Sequence, residues 1–317
     1  MSFDIIGTGA YVPERVVTND ELSQIVETND EWITKRVGVK RRHVSENETA
    51  AQMGAEAARR ALADAGIGAD ELDLIIAASV SSETVAPSVA CMIQNYLGVS
   101  CTAFDINAAC SAFLFLLETA AGFFARGTVK KVLVVGAERM SRVIDWHDRS
   151  TCVIFGDGAG AAVLSSGDGY TDSLIRVSGG DTVIKIPQLI GNSPFYKGEQ
   201  ESPYVHMNGQ ETFRFAVNSM AADIPELLSR NGLTADDIAL IIPHQANIRI
   251  IRFAAEKMGI GEDRFFVNIG EYGNTSSASV PIALDEARRS GRIKKGDLVV
   301  LSAFGGGLSS AACLIKM

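Results

Sequence analysis

Cysteine is scarce and unpatterned. Cys91, Cys101, Cys110, Cys152 and Cys313 form an odd set without CxxC spacing, which argues against a disulfide framework or a zinc site and fits a reducing cytoplasm. No apolar run approaches the ~20 residues of a membrane span. The opening stretch MSFDIIGTGAYVPE lacks the basic segment and cleavage site of a signal peptide and reads instead as a strand. A cytoplasmic location with no membrane partner is therefore expected. Positive charge is in deficit: the net charge of −9 argues against non-specific nucleic-acid binding, so no nucleic-acid partner is expected. What is present, 47% hydrophobic and 21% charged residues over 317 positions, suffices for a large core in one or two domains.

Of the five thiols, Cys110 has the most informative surroundings. In Phe104-Asp105-Ile106-Asn107-Ala108-Ala109-Cys110-Ser111-Ala112-Phe113 a short apolar run gives way to SAFLFLLETAAGFFAR (Ser111–Arg126), which reads as a buried helix. Cys110 then lies in the first turn, where unpaired N–H groups and the helix dipole favour an anion. Helix N-termini lower a thiol pKa, and the thiolate is the reactive form, so a nucleophile is expected. A buried, inert cysteine is the competing reading.

The chain carries an internal repeat. Ala61–Val80 and Leu227–Ala246 align at an offset of 166, with Gly66/Gly232, Asp70/Asp236 and a Leu-Ile-Ile strand in common. The same offset aligns Val132-Leu133-Val134-Val135 with Leu298-Val299-Val300-Leu301. Two matches at one offset predict two similar α/β halves, residues 1–165 and 166–317, related by a pseudo-twofold axis. The strands Leu74–Ala78, Val132–Gly136, Leu240–Ile242 and Leu298–Ser302 lack strict alternation, which implies sheets covered on both faces. Helical stretches at Ala50–Ala65, Val89–Leu97, Glu211–Arg230, Asn247–Met258 and Val280–Ser290 supply the cover. Ser178–Pro203, polar and punctuated by Gly and Pro, is an expected excursion from the core.

Candidate partners for the thiol lie in the second half. His244 is released at the end of the strand Leu240-Ile241-Ile242, where ligand sites of such sheets lie. Asn274 stands in Gly273-Asn274-Thr275-Ser276 before a helix, and the offset of 166 maps it onto Ala108, two residues before Cys110. The loop Phe304-Gly305-Gly306-Gly307 lets backbone N–H groups approach a ligand. Each feature alone has a bland reading as a capped, turning or flexible segment; jointly with the repeat, that reading weakens for His244 and Asn274. His43, His147 and His206 lie in polar surroundings and read as surface or structural.

These residues resemble the thiolase-fold condensing enzymes, most closely the β-ketoacyl-acyl-carrier-protein synthase III family. The matching motifs are NDEWITKRVGVKRRH, DINAACSAF at Cys110, FGDGAGAAVL at 155–164, PHQANIRII at His244, YGNTSSASVPIALDEA at Asn274 and LSAFGGG. They extend over essentially the whole chain in the family's order. The resemblance implies a five-layer αβαβα fold and makes Gly156–Gly160 a packed turn rather than a nucleotide loop. Elongating synthases pair their cysteine with two histidines, whereas Asn274 holds the second place here. Degradative thiolases carry a second cysteine near the C-terminus, where this chain has Gly305-Gly306-Gly307-Leu308-Ser309, with Cys313 too late to serve.

The resemblance further implies a decarboxylative Claisen condensation. Cys110 takes the acyl group of an acyl-CoA primer, acetyl-CoA or a somewhat larger one. His244 and Asn274 then stabilise the enolate formed when malonyl-acyl-carrier protein loses CO₂, and the product is a β-ketoacyl-acyl-carrier protein that initiates fatty-acid synthesis. Cys110 and Gly306 N–H groups form the oxyanion hole, and Phe304 walls the site. Trp32, Arg36 and Arg149 match the CoA head-group positions. Thr28, Gly209, Phe213 and Asn247 match the pantetheine arm, and Arg214, Arg249 and Lys257 the basic patch for the acidic carrier protein. Ala86 takes the place of a bulky residue that reaches the partner's acyl pocket in the family's homodimer, which leaves room for a larger primer. No metal or other cofactor is implied. A ketosynthase or acyltransferase of specialised metabolism using the same three residues on another acceptor stays open as the alternative. So does a non-catalytic acyl-carrier-binding partner that keeps the fold.

Overall fold

The computed structural model describes residues 2–187, 194–195, 197–199 and 201–317. The first sheet has the order Ser2–Tyr11, Gly158–Gly167, Lys131–Glu138, Leu74–Ala78, Thr102–Asp105. Its first two pairings are antiparallel and its last two parallel. The second sheet repeats the scheme with Tyr170–Val177, Ser309–Lys316, Leu298–Gly305 and Leu240–Pro243, paired antiparallel, antiparallel and parallel. A parallel bridge between Ile241 and Phe265 stands where the first sheet has its fifth strand. Two sheets of one topology from one chain are the pseudo-twofold arrangement expected.

Helices fill three layers around these sheets, giving αβαβα. Ala50–Ala65 and Val89–Leu97 cover the outer face of the first sheet through a core that includes Met53, Leu62, Ile75, Ile93 and Leu133. Gly209–Arg230 and Ile248–Met258 cover the second through Met220, Ile224, Leu227, Ile241, Ile251 and Val300. The helices Ala112–Ala125 and Ser279–Arg289 lie between the sheets. Ala112–Ala125 buries Phe113, Leu114, Leu116, Leu117 and Phe124, the near-continuous apolar surface a helix needs when sheets flank it. Each such side chain contributes about 1.5–3 kcal/mol on burial. Local signals set the helix ends: Thr49 and Gln52 form a capping box and Gly66 ends that helix left-handed, while Ser88 and Gly98 bracket Val89–Leu97.

Some boundaries differ from expectation. The strand read as Val132–Gly136 runs Lys131–Glu138, because Ala137 and Glu138 are buried and still pair with Ala159 and Gly158. Gly156–Gly160 divides: Gly156 packs where a Cβ would stand 2.3 Å from the Tyr272 carbonyl oxygen, whereas Gly158 opens a strand. Within the excursion, Ile184–Lys185 pairs with His206–Met207, and residues 188–193, 196 and 200 lie outside the described residues.

Backbone meets backbone where the halves join. A Cβ on Gly136 would stand 2.4 Å from the Ser277 carbonyl oxygen, and one on Gly160 2.7 Å from the Ile282 nitrogen. Gly122, by contrast, is exposed within its helix and a Cβ there meets nothing. Gly136→Ala should therefore destabilise by about 3 kcal/mol, at the upper end of overpacking costs. Gly122→Ala should stabilise by about 0.5–1 kcal/mol. Urea unfolding of both variants measures the contrast, and equal midpoints would contradict it.

Candidate active site

Two turns of the same design face each other across the pseudo-dyad. In the first, the Asn107 Oδ1 accepts from the Ala109 N–H at 3.2 Å, Ala109 takes φ +48°, and a 3₁₀ turn at Ala109–Ser111 leads into the helix at Ala112. In the second, the Asn274 Oδ1 accepts from the Ser276 N–H at 2.8 Å, Ser276 takes φ +49°, and a 3₁₀ turn at Ser276–Ala278 leads into the helix at Ser279. The structural counterpart of Asn274 is thus Asn107, not Ala108. The second half holds one extra residue between the strand at Ile241 and this turn, which shifts the offset from 166 to 167. The position equivalent to Cys110 is Ser277.

His244 is fixed from both sides. Its N–H donates to the Ser302 carbonyl at 2.7 Å. The next residue, Gln245, donates through its backbone N–H to Ser279 Oγ and through Nε2 to the Pro243 and Phe266 carbonyls, and its Oε1 accepts from the Asn268 and Ile269 N–H groups. The imidazole lies edge-on to Phe304 with centroids 5.2 Å apart, is 1% exposed, and has no hydrogen-bond partner at Nδ1 among the described residues. Burial lowers its pKa to about 3, so the ring is neutral at physiological pH.

Phe304 and Gly305 link this ring to the thiol. A Cβ on Gly305 would stand 2.8 Å from the Cys110 nitrogen and 3.1 Å from its Cβ. Gly306 comes next, with its carbonyl accepting from Ser309 Oγ at 3.0 Å. The Cys110 thiol donates to Ser276 Oγ at 3.6 Å, and that residue's N–H holds the Asn274 carboxamide oxygen. Cys110 keeps partial access from solvent, yet its sulfur is crowded: burial pushes the thiol up to about 12, with the Glu138 carboxylate adding to the effect. Burial thus acts against the lowering expected at a helix start, because it disfavours the thiolate.

Glu138, Ser276 and Gly305 were not singled out by sequence. The signal for Gly305 was present in the GGG run, but only coordinates distinguish it from Gly306. Glu138 ends a central strand and is fully buried without a cation among its hydrogen-bond partners, a placement that adjacent residues do not reveal.

The other candidates each have surroundings of their own. Arg149 stacks over Trp32 at 5.1 Å and donates to the Glu27 carbonyl at 3.1 Å. Thr28 Oγ1 is buried without a partner among the described residues. Arg36 is exposed, and its carbonyl accepts from Asn247 Nδ2 at 3.1 Å. Asn247 Oδ1 caps the next helix by accepting from the Arg249 N–H, so both its polar atoms are engaged in the protein. Gly209 opens its helix behind the Asn208 cap. Phe213 meets Phe253 edge-on at 5.6 Å, with Arg249 over both rings. Arg214 is exposed nearby, whereas Lys257 donates to Asn218 Oδ1 at 2.7 Å. Ala86 lies exposed beside Val85, which is 81% exposed. Among the described residues no group of three His, Cys, Asp or Glu side chains could hold a metal ion, and no helix is long and apolar enough to cross a membrane.

Two topologically matched sheets, with Cys110 at one helix start touching Ser276 and Gly305 of the other half, have the build of a thiolase-fold condensing enzyme. The model for the 3-oxoacyl-[acyl-carrier-protein] synthase III family matches residues 104–180, and that for its C-terminal region residues 228–317. The chain is 46% identical over 321 residues to the β-ketoacyl-[acyl-carrier-protein] synthase III of Clostridium acetobutylicum, covering 99% of this chain and 98% of that one. The crystal structure of 3-oxoacyl-[acyl-carrier-protein] synthase III from Aquifex aeolicus superposes with a TM-score of 0.92 at 43% identity, covering all of both chains. The priming β-ketosynthase from the R1128 polyketide biosynthetic pathway matches at a TM-score of 0.91 and 34% identity, covering 100% of this chain and 96% of that one. The chain belongs to the β-ketoacyl-[acyl-carrier-protein] synthase III family.

The thiol environment yields two tests. Gly305→Ala should slow reaction of the Cys110 thiol with acetyl-CoA about 100-fold by displacing its sulfur, without unfolding the protein; single-turnover mass spectrometry reads this. Alkylation of Cys110 by iodoacetamide should rise about tenfold per pH unit from 7 to 9, because the thiol titrates above that range. A plateau near pH 7 would contradict the raised pKa.

Proposed function

We propose that Cys110, His244 and Asn274 are the residues through which this condensing enzyme joins an acyl-CoA primer to malonyl-acyl-carrier protein. The observation that carries the reading is the convergence just described, with the His244 ring uncharged and the Asn274 oxygen already bound to the protein. With Oδ1 engaged by the Ser276 N–H, the Asn274 amide N–H groups are left to donate outward. A neutral His244 protonated on Nε2 leaves the unpartnered Nδ1 as an acceptor and supplies a second donor. Two neutral donors suit an enolate oxygen: they stabilise developing negative charge without protonating it.

The reaction then runs in two stages. Cys110 sulfur attacks the primer thioester, with the Cys110 and Gly306 N–H groups supporting the tetrahedral oxyanion at about 3–4 kcal/mol per donor, and CoA leaves. Malonyl-acyl-carrier protein next loses CO₂ against the apolar face of Phe304, and the enolate carbon attacks the acyl-Cys110 thioester. The β-ketoacyl-acyl-carrier protein departs and the thiolate is released.

Primer recognition is proposed at Trp32, Arg36 and Arg149 for the nucleotide end and at Thr28, Gly209, Phe213 and Asn247 for the pantetheine arm. The Trp32–Arg149 stack and the unpartnered Thr28 hydroxyl support this. Asn247 holds the Arg36 carbonyl with one Nδ2 hydrogen and caps the Arg249 N–H with Oδ1, which leaves its second Nδ2 hydrogen to donate to the arm. Carrier docking is proposed at Arg214, Arg249 and Lys257. A homodimer in the cytoplasm, with Ala86 at the partner's acyl pocket, is proposed on the exposure of the Val85–Ala86 loop. The proposed division into halves, 1–165 and 166–317, adjoins the Asp168–Gly169 turn between the last strand of one sheet and the first of the other. The similarity to a polyketide-pathway priming synthase favours a second reading, condensation on an acceptor of specialised metabolism.

Cys110→Ala should abolish the acyl adduct seen by intact-protein mass spectrometry after acetyl-CoA treatment. His244→Ala and Asn274→Ala should keep the adduct while slowing condensation with malonyl-acyl-carrier protein about 10²–10³-fold. Acylation of the Cys110→Ala protein would overturn the assignment, and turnover of a different acceptor alone would establish the second reading.

A further inference from the structure

The largest side chain fully withdrawn from solvent among the described residues is a cation, Arg42. It stands in the middle of the strand Arg41–His43 and pairs with Val17 of Val16–Thr18. Its partners are neutral oxygens rather than carboxylates. Nη1 donates to Asn19 Oδ1 at 2.9 Å and to the Val17 carbonyl at 3.3 Å, and Nη2 donates to the Val153 carbonyl at 2.9 Å. Burying a cation on such terms costs desolvation that an apolar side chain of similar volume would avoid, so stability alone does not call for it. Two of these partners lead to opposite sides of the Trp32–Arg149 stack. Asn19, 1% exposed, spends both Nδ2 hydrogens on Asp30 Oδ1 and the Val39 carbonyl, each at 2.8 Å, which fixes its amide. Asp30 opens the helix Asp30–Arg36, which carries Trp32 and Arg36 and is capped by Asn29 at the Trp32 N–H. Val153 is the C-cap of Arg149–Cys152, and Arg149 lies 5.1 Å over the Trp32 ring.

We propose that Arg42 is a positioning residue for the nucleotide end of the acyl-CoA, setting the separation of Trp32 and Arg149 through Asn19–Asp30 on one side and Val153 on the other. The inference rests on the reading that Trp32 and Arg149 take that end of the primer. Arg149 is exposed and Trp32 half-buried, so their spacing is set by the elements that carry them rather than by packing around their tips. Those elements are short, seven and four residues, and the fork of Arg42 joins them directly. A guanidinium suits the place because it is planar and presents donors in two directions at once, whereas a lysine ammonium at the end of a flexible stem acts as a point charge and cannot match both partners. Without the fork, Asn19 Oδ1 or the Val153 carbonyl is left buried and unpaired, and the two elements shift to satisfy it. The effect is on preorganisation: the stack would no longer stand ready for a ligand, and binding would bear the cost of ordering it.

The test compares two acetyl donors in single-turnover acylation read by intact-protein mass spectrometry: acetyl-CoA, and the acetyl thioester of N-acetylcysteamine, which lacks the nucleotide. Arg42→Lys keeps the charge and removes the fork. Asp30→Ala cuts the Asn19–Asp30 link at an exposed residue and leaves the core intact. Both should raise the half-saturating acetyl-CoA concentration, Arg42→Lys by about tenfold, while the maximal rate and the rate with the short thioester stay within twofold. Trp32→Ala is the reference and should show the same split. Loss of one factor with both thioesters would mean that Arg42 only holds the fold, and it overturns the proposal. Should Arg42→Lys fail to fold, Asp30→Ala decides by the same split. Unchanged half-saturation in the Arg42 and Asp30 variants, with Trp32→Ala shifted, refutes the positioning role alone. Unchanged half-saturation in Trp32→Ala refutes the primer-site reading and the positioning role together.

Discussion

Direct contact between glycine backbones of one half and turn backbones of the other is what the site depends on. Gly136 abuts Ser277, Gly160 abuts Ile282, and Gly305 abuts Cys110. Each contact would be impossible with a Cβ in place, and each sets a strand end against the start of a central helix. Because the contacts are main chain to main chain, they bring the two turns together without long side chains whose rotamers could vary. Positive φ at Ala109 and Ser276 persists because this packing over-determines the two residues.

Desolvation is the second consequence of that closeness. The same burial leaves His244 uncharged, Cys110 protonated and Glu138 with a raised pKa. Here the imidazole and the thiol are neutral, and the carboxylate, raised in pKa by burial, is met by hydroxyl and amide donors rather than by a cation. A site of this kind keeps hydrogen bonds strong and suits a reaction whose charged species are an enolate and two thiolates.

Duplication supplied one turn design twice, and the copies diverged. Asn107 and Asn274 each secure the N–H two residues on, and Ala109 and Ser276 share a backbone conformation. Only one copy carries sulfur at the position after that residue; the other carries Ser277, whose hydroxyl is bound to Glu138. In the first turn the small Ala109 lies beneath Gly306, while in the second the hydroxyl of Ser276 reaches the thiol. The proposed chemistry therefore uses one motif as nucleophile and its twin as supporting partner.

Much of this was legible in residue order. The repeat at Gly66/Gly232 and Leu-Ile-Ile announced two halves, uninterrupted helical stretches such as Ala50–Ala65 and Val89–Leu97 announced helices, and the cysteine motif with its His and Asn partners marked a candidate site. These signals are local: propensity, capping and periodicity act within a few residues. The equivalence of Asn274 with Asn107 was off by one, because a single inserted residue leaves no mark in a repeat matched only at its strands. The thiol pKa was misjudged for a similar reason, since a helix start is visible in sequence while the crowding of a sulfur by residues 166 and more positions away is not. Sequence by itself determined the layered α/β fold, its doubling and which side chains are candidates for the chemistry. Only the tertiary structure decided their protonation, the contact of Ser276 with the sulfur and the burial of Glu138, because desolvation and approach distance are set by atoms that the chain brings together only on folding.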